Sequence, residues 1–159
     1  MGIIDKALEI ALKVHCGQKD KAGKEYILHP VRVMMKMETD EERAAALLHD
    51  VIEDSRKLPE ERRYTVERLL AEGIPKDVVD AVAALTKPED LSDTDEAYFN
   101  FVRGAKENKL ARKVKLADLG DNMDLGRIAN PTDADFKRLK KYETAVKILE
   151  DDGVTRETP

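Results

Sequence analysis

Apolar residues recur along this chain at intervals of three and four, which is the spacing of one buried face of an α-helix. The first segment shows this spacing most clearly and ends near Gly17; its apolar positions are Ile3, Ala7, Leu8, Ala11 and Val14. Alternation with a period of two, the sign of a β-strand, is weak along the whole chain. The pattern therefore predicts an all-α fold.

Capping residues and prolines divide the rest of the chain into further helices. Pro30 suits the first turn of a short helix over 31–37. Thr39, with Glu42 three residues later, predicts a capping box at the start of one continuous helix that ends near Asp54. The later helices are predicted to begin near Thr65, Pro75, Glu96, Ala111 and Thr132.

The length and composition fit one domain. The chain has 159 residues, of which 42% are hydrophobic, and this is enough to bury a core of useful size. Trp is absent and aromatic residues make up only 4%, so the core must be aliphatic. We therefore expect a helical bundle over residues 1–150 and a frayed tail over 151–159.

The net charge indicates which partners the protein can bind, and the cysteine content indicates the redox compartment that it suits. The net charge of -5 argues against a nucleic-acid or anionic-membrane surface, because both need clustered positive charge. The 28 lysine and arginine residues still permit a local basic pocket for a phosphate. Cys16 is the single cysteine, so no intramolecular disulfide can form, which fits the reducing cytoplasm.

Membrane insertion and secretion are not expected from this sequence. No apolar run approaches the roughly 20 residues that a membrane-spanning helix needs. The amphipathic start of the chain contains Asp5 and Glu9, which a signal peptide would not have in its apolar region.

A group of histidines and carboxylates is the strongest sign of chemistry. His49 and Asp50 are adjacent late in an Ala/Leu-rich helix, where an unpaired polar group costs about 1–3 kcal/mol to bury. On a continuous helix Glu53 shares a face with His49, and Asp54 shares one with Asp50, within an arc of roughly 140°. Three carboxylates this close raise one another's pKa unless a cation neutralises them. The group therefore predicts a divalent metal.

Two more residues complete a candidate metal site. His29 stands just before a predicted helix, and Asp118 follows an apolar helical stretch. The candidate ligand set is His29, His49, Asp50 and Asp118. Two imidazoles and two carboxylates suit Mn, Fe, Co or Zn and leave room for water, which such an ion can activate. Glu53 is then the best general acid or base, with Asp54 supporting it.

Each of these residues also has an ordinary structural explanation. His29 could cap or pack before a proline, and Glu53 with Asp54 could form a solvated helix end. His15, the third histidine, is expected to pack or hydrogen-bond near the site. The order of a His, a His-Asp pair and a distant Asp on helices is more specific than any of its parts. Because the chain has three histidines in all, we predict one metal ion rather than two.

The pattern resembles the HD superfamily, and more closely the hydrolase domain of RelA/SpoT homologues, over about residues 7–125. The matching blocks are His15-x-Gly17-Gln18, Lys21-x-Gly23, Tyr26-Ile27-x-His29-Pro30, Ala45-Ala46-Leu47-Leu48-His49-Asp50-Val51-Ile52-Glu53-Asp54-Ser55, Leu85-Thr86-Lys87, Val114-Lys115-Leu116-Ala117-Asp118 and Asn122-Met123. The resemblance implies a single-domain HD-type helical bundle. The chain has no room for the synthetase and regulatory domains of larger members, which predicts a stand-alone hydrolase.

That family hydrolyses the alarmones ppGpp and pppGpp at the 3′-diphosphate and releases pyrophosphate, usually with Mn²⁺. The resemblance implies the same four metal ligands, with Glu53 and Asp54 handling the attacking water. It places Lys21 and Asn122 near the nucleotide. The expected partner is therefore a small phosphorylated nucleotide, and neither a nucleic acid nor a membrane. The oligomeric state stays open.

The chain departs from the family pattern around the substrate. Asp20 stands where an arginine is expected to stack on guanine, and Glu25 stands where a proline is usual. Two basic residues and a histidine are replaced by Leu119, Asp124 and Asp121. Two alternatives therefore remain. One is a phosphatase for another nucleotide, such as a nucleoside monophosphate or the phosphate of NADPH. The other is a non-catalytic nucleotide sensor on the same fold.

Overall fold

A computed structural model describes residues 1–152, and within that range the chain is helical and forms no β-strand. The expectation of an all-α fold is confirmed. The α-helices are α1 Ile3–His15, α2 Leu28–Met35, α3 Asp40–Leu48, α4 Val51–Ser55, α5 Val66–Ala71, α6 Lys76–Leu85, α7 Asp95–Lys106, α8 Lys109–Asn122 and α9 Asp133–Glu150. Short 3-10 helices span Glu60–Arg62 and Leu125–Arg127. The predicted frayed tail lies, apart from 151 and 152, outside the described residues.

Five of the helices begin with a side-chain cap. In each, the side-chain oxygen of the capping residue accepts a hydrogen bond from the backbone N–H three residues later, which satisfies one of the free donors of the first turn. The capping residues are Thr39, Thr65, Thr94, Asn108 and Thr132. Gly73, with a φ of +91°, ends α5 as its sequence position predicts.

The core is aliphatic and centres on α3. Residues 44–48 of this helix are fully buried, and α3 packs against α1, α2, α6 and α8. Its alanines allow these neighbours to approach closely. A second cluster joins α7, α8 and α9 through Tyr98, Val102, Leu119, Ala145 and Leu149. No helix of the described range is long and apolar enough to cross a membrane.

Helix α2 begins earlier than the prediction of 31–37. A turn closed by the His29 N–H to the Tyr26 carbonyl, at 2.9 Å, continues directly into the helix, which begins at Leu28. Pro30 is thus the third helical residue, where the absent N–H costs nothing because the first turn has no intrahelical acceptor for it. His29 therefore lies inside the first turn of α2 rather than before the helix.

The predicted continuous helix from Thr39 to Asp54 is wrong. It divides into α3 and α4 at His49 and Asp50, and Asp50 has φ -105° and ψ 1°. The His49 imidazole Nδ1 lies 2.6 Å from the Ala46 carbonyl, so the side chain competes for an acceptor that the next helical turn would use. At the start of α3 the Thr39 side chain accepts from the Glu42 N–H at 3.1 Å, and the Glu42 carboxylate accepts from the N–H of Glu38 at 3.1 Å.

Candidate active site

Three parts of the bundle converge beside α3. His29 comes from the first turn of α2, His49 and Asp50 from the break between α3 and α4, and Asp118 from the second half of α8. They meet because α3 packs against both α2 and α8. His29, His49 and Asp118 are buried, and Asp50 is partly exposed to a cavity. The four predicted ligands are therefore brought together from positions up to 89 residues apart.

Their donor atoms point at one another. The His29 Nε2 lies 3.2 Å from the His49 Nε2 and 2.8 Å from the Asp118 Oδ1. The His49 Nε2 lies 3.0 Å from the Asp50 Oδ2 and 3.3 Å from the Asp118 Oδ1. One ligand atom each of His29, His49 and Asp50 fits within 4.8 Å of the others, a spacing that could hold a metal ion.

The outer ring nitrogens show which atoms face the centre. The His49 Nδ1 bonds to the Ala46 carbonyl and the His29 Nδ1 to the Asp121 Oδ2, each at 2.6 Å. Since both acceptors need a donor, each Nδ1 holds a proton, and each Nε2 is the ring atom that faces the centre. Metal-binding histidines are oriented in this way by a carbonyl or carboxylate behind the ring.

This arrangement demands positive charge at its centre. Although burial alone would lower the pKa of His49, Asp50 and Asp118 hold it well above its usual range. Burial would likewise raise the pKa of Asp118, but Lys115 and His49 hold it well below the usual range. Protons on the imidazoles or a divalent cation can supply the charge. Two imidazole nitrogens with two carboxylates are a donor set that fits Mn, Fe, Co or Zn.

Neighbouring groups fix the two carboxylates. The Lys115 Nζ lies 3.0 Å from the Asp118 Oδ2, and the Asn122 amide donates to the Asp118 Oδ1 at 3.1 Å. The Tyr26 hydroxyl donates to Asp50. Asn122, predicted to bind substrate, is thus also a partner of a candidate ligand.

Glu53 and Asp54 line an inner cavity of about 200 Å³ beside the candidate ligands. The Glu53 Oε1 accepts the backbone N–H of Lys87 at 2.5 Å, and the Asp54 Oδ2 accepts the Gln18 amide at 2.9 Å. Burial raises the pKa of each carboxyl, and the charge of Asp50 raises both further. Both groups are therefore placed to exchange protons with a molecule in the cavity.

An outer cavity of about 280 Å³ adjoins the inner one, and the two share Tyr26, Asn122 and Tyr142 as lining residues. Lys21 lines only the outer cavity, where partial burial and Arg138 lower its pKa. Of the two predicted substrate residues, Asn122 therefore borders both cavities and Lys21 lies farther from the candidate metal ligands.

Sequence reasoning missed Asp121 as a site residue and treated it only as a departure from a family pattern. Asp121 is buried, accepts from His29, and also pairs with Arg32 at 2.8 Å and with Arg127 at 3.4 Å. Burial would raise the pKa of its carboxyl, but His29 and Arg32 hold it well below its usual range. Its position three residues after Asp118 put both on one helix face, which was a usable signal.

Asp121→Ala is expected to weaken metal binding about tenfold to a hundredfold, the usual effect of removing the carboxylate behind a metal-binding histidine. Titration of the metal-free protein by calorimetry measures the affinity. Asp124→Ala is the matched control, because Asp124 is exposed and also pairs with Arg127 but does not contact His29. Equal affinity of the Asp121 variant and the control would contradict the role of Asp121.

The chain matches a known protein family and is similar in sequence to several curated proteins. Residues 7–123 match the model of the HD domain family. A guanosine-3′,5′-bis(diphosphate) 3′-pyrophosphohydrolase of Aquifex aeolicus is 32% identical over 124 residues, covering 76% of this chain and 17% of that protein. A GTP pyrophosphokinase of Myxococcus xanthus is 32% identical over 133 residues, or 77% of this chain and 17% of its own length.

A third relative, from Borreliella burgdorferi, has the same printed name as the Aquifex protein. It is 35% identical over 92 residues, covering 55% of this chain and 13% of that protein. The chain thus spans less than a fifth of the length of these curated relatives.

Proposed function

The chain belongs to the HD domain family, and from that premise we propose that it is a metal-dependent phosphohydrolase that removes the 3′-diphosphate of ppGpp and pppGpp as pyrophosphate. The main support is the convergence of two inward-facing imidazoles and two carboxylates next to the inner cavity, which is lined by Glu53 and Asp54 together with His49, Asp50 and Asp118. The names of the Aquifex and Borreliella relatives point to the same reaction class.

The metal in this proposal is one divalent ion, with Mn²⁺ as the expected species. Its ligands would be His29, His49, Asp50 and Asp118. When bound, such an ion polarises phosphoryl oxygens and makes water easier to deprotonate. Glu53 would accept the proton of the attacking water, because its carboxyl lies in the cavity and its raised pKa makes it a stronger base than an ordinary glutamate. Asp54 would orient that water.

The inner cavity has groups suited to phosphate charge. Lys87, Lys115 and Tyr98 all line it. Burial alone would lower the pKa of Lys115, but the charge of Asp118 raises this pKa, so the side chain stays cationic. Burial raises the pKa of Tyr98 to about 12, so its hydroxyl stays protonated and able to donate to a phosphoryl oxygen. These groups would bind the phosphates next to the metal.

The outer cavity favours a second candidate substrate. Each arginine that lines it is already paired with an aspartate, and the pairs are Arg32–Asp121, Arg127–Asp121, Arg127–Asp124 and Arg138–Asp135. Asp20 adds another carboxylate to the wall. A second anionic group at the far end of a substrate would therefore gain little binding free energy from the arginines of the outer cavity. This favours a nucleotide with phosphate at one end, such as a nucleoside monophosphate.

A nucleotide panel with Mn²⁺ tests the proposal. It contains ppGpp, pppGpp, nucleoside monophosphates and NADPH, with phosphate and pyrophosphate release measured separately. Pyrophosphate from ppGpp is the expected result. Phosphate from a monophosphate alone would replace the alarmone by the second candidate. Tight nucleotide binding without turnover at any metal loading would contradict an enzyme and favour a sensor.

A further inference from the structure

Three side chains form a hydrogen-bonded chain that ends at Asp54. The His15 Nδ1 lies 2.9 Å from the Gln18 Oε1, and the Gln18 Nε2 donates to the Asp54 Oδ2 at 2.9 Å. His15 ends α1, Gln18 lies in the following loop, and Asp54 belongs to α4. His15 and Gln18 do not belong to the candidate metal ligands, and the roles proposed above leave both unexplained.

The chemistry of the groups fixes the direction of the chain. An ionised carboxylate only accepts, so Gln18 must turn its NH₂ towards Asp54 and its carbonyl oxygen towards His15. That oxygen in turn needs a donor, which places the proton of His15 on Nδ1. The His15 Nε2 is buried without a partner among residues 1–152, so this tautomer also avoids burying an unpaired N–H.

The backbone holds Gln18 on both sides. Its N–H donates to the His15 carbonyl at 3.0 Å, and its carbonyl accepts from the Tyr26 N–H at 2.9 Å. Gly17 makes the tight turn between His15 and Gln18 possible, because its φ is +80°. Tyr26 also packs its ring against His15, with centroids 4.9 Å apart. The Gln18 amide therefore has little freedom to leave Asp54.

We propose that His15 and Gln18 are positioning residues that hold the Asp54 carboxylate by its Oδ2 atom and leave the Oδ1 atom for water in the inner cavity. This inference rests on the proposed function, in which Asp54 orients the attacking water. The titratable groups that act most strongly on Asp54 are Asp50 in front of α4, His15 from α1 and Lys57 after α4, and the Tyr26 phenol also interacts with Asp54. The hydrogen bond from Gln18 favours the ionised form of Asp54, which the nearby charge of Asp50 disfavours.

Gln18→Leu removes the donor and keeps the approximate size of the side chain. Loss of a hydrogen bond to a charged group is expected to lower kcat about tenfold to a hundredfold, with KM and metal affinity unchanged. The acidic limb of the activity profile is expected to move to higher pH, because the carboxylate of Asp54 loses a donor that favours its ionised form. Lys24→Leu, at an exposed position of the same loop that borders neither cavity, is the control and is expected to keep wild-type values.

A pair of His15 variants separates positioning from packing. Asn places an amide N–H near the position of Nδ1, so His15→Asn is expected to keep most of the activity, while His15→Phe fills the space and loses it. Equal loss in both variants, or unchanged kcat in Gln18→Leu, would overturn the inference.

An activity-independent measurement keeps this inference distinct from the proposed function. The Asp54 carboxyl can be titrated by ¹³C NMR in the Zn²⁺-loaded protein and assigned by comparison with Asp54→Asn. Its pKa is expected to be higher in Gln18→Leu than in the wild type. If wild-type protein hydrolyses no nucleotide, the proposed function fails, while this titration still decides whether Gln18 holds Asp54. An unchanged pKa would overturn the inference.

Discussion

His49→Ala is expected to remove metal binding and phosphohydrolase activity together. The His49 Nε2 lies within 3.3 Å of the candidate ligand atom of each of His29, Asp50 and Asp118. The substitution therefore removes the ligand atom that lies close to all three others. A metal ion supplies several kcal/mol of transition-state stabilisation. Since each 1.36 kcal/mol corresponds to a tenfold change in rate, we expect activity to fall at least about a thousandfold.

Metal content after dialysis, measured by mass spectrometry, checks the first half of this expectation. About one ion per wild-type chain and almost none per variant chain are expected. Arg43→Ala is the control, because Arg43 lies in α3, which ends just before His49, but borders neither cavity. Circular dichroism confirms that both variants fold. Full metal content in His49→Ala would contradict its role as a ligand.

The fold was predictable because its signals are local. Thr39, Thr65 and Thr132 each cap a helix within a few residues, and the apolar spacing of α1 fixes its buried face. The break at His49 and Asp50 was not predictable, since a periodic apolar pattern continues through it. There the His49 side chain bonds to the Ala46 carbonyl and competes with the backbone N–H of the next helical turn for that acceptor. Apolar periodicity gives no sign of such competition.

The residues proposed as metal ligands were found from residue type and order, whereas their supporting partners were not. Asp121 meets His29 across 92 residues, and Gln18 meets Asp54 across 36. Such contacts depend on how α2, α4 and α8 pack, which the local sequence does not specify. The paired arginines of the outer cavity were hidden for the same reason, because the sequence shows their charge without their partners.

Glu53→Gln is expected to lower kcat about a hundredfold to ten-thousandfold, the range that a general base contributes. Gln keeps the shape of the side chain and an oxygen that can still accept the Lys87 N–H, so the local structure should persist. Metal affinity should persist too, because Glu53 is not among the proposed ligands. The expected result is therefore a protein that binds metal and substrate normally and turns over slowly.

The pH dependence provides a second test of Glu53. Burial raises the pKa of its carboxyl, and Asp50 adds to this. A base must be deprotonated to act, so wild-type activity is expected to fall as pH decreases through this raised pKa. That limb should therefore lie above the usual range of a glutamate. In Glu53→Gln the part of this limb that belongs to Glu53 should be lost, because that carboxyl is absent, and any fall in rate that remains as pH decreases belongs to Asp54.

Glu89→Gln is the matched control for both measurements, because Glu89 is exposed and borders neither cavity. It is expected to reproduce the wild-type rate and pH profile. If Glu53→Gln instead loses its metal, Glu53 acts on the metal centre and the proton transfer belongs to another group. A decrease in kcat of less than about threefold would be far smaller than the contribution of a general base. The proposed role of Glu53 would then be wrong, and Asp54 would be the cavity carboxylate outside the proposed ligand set that is left to accept the proton of the attacking water.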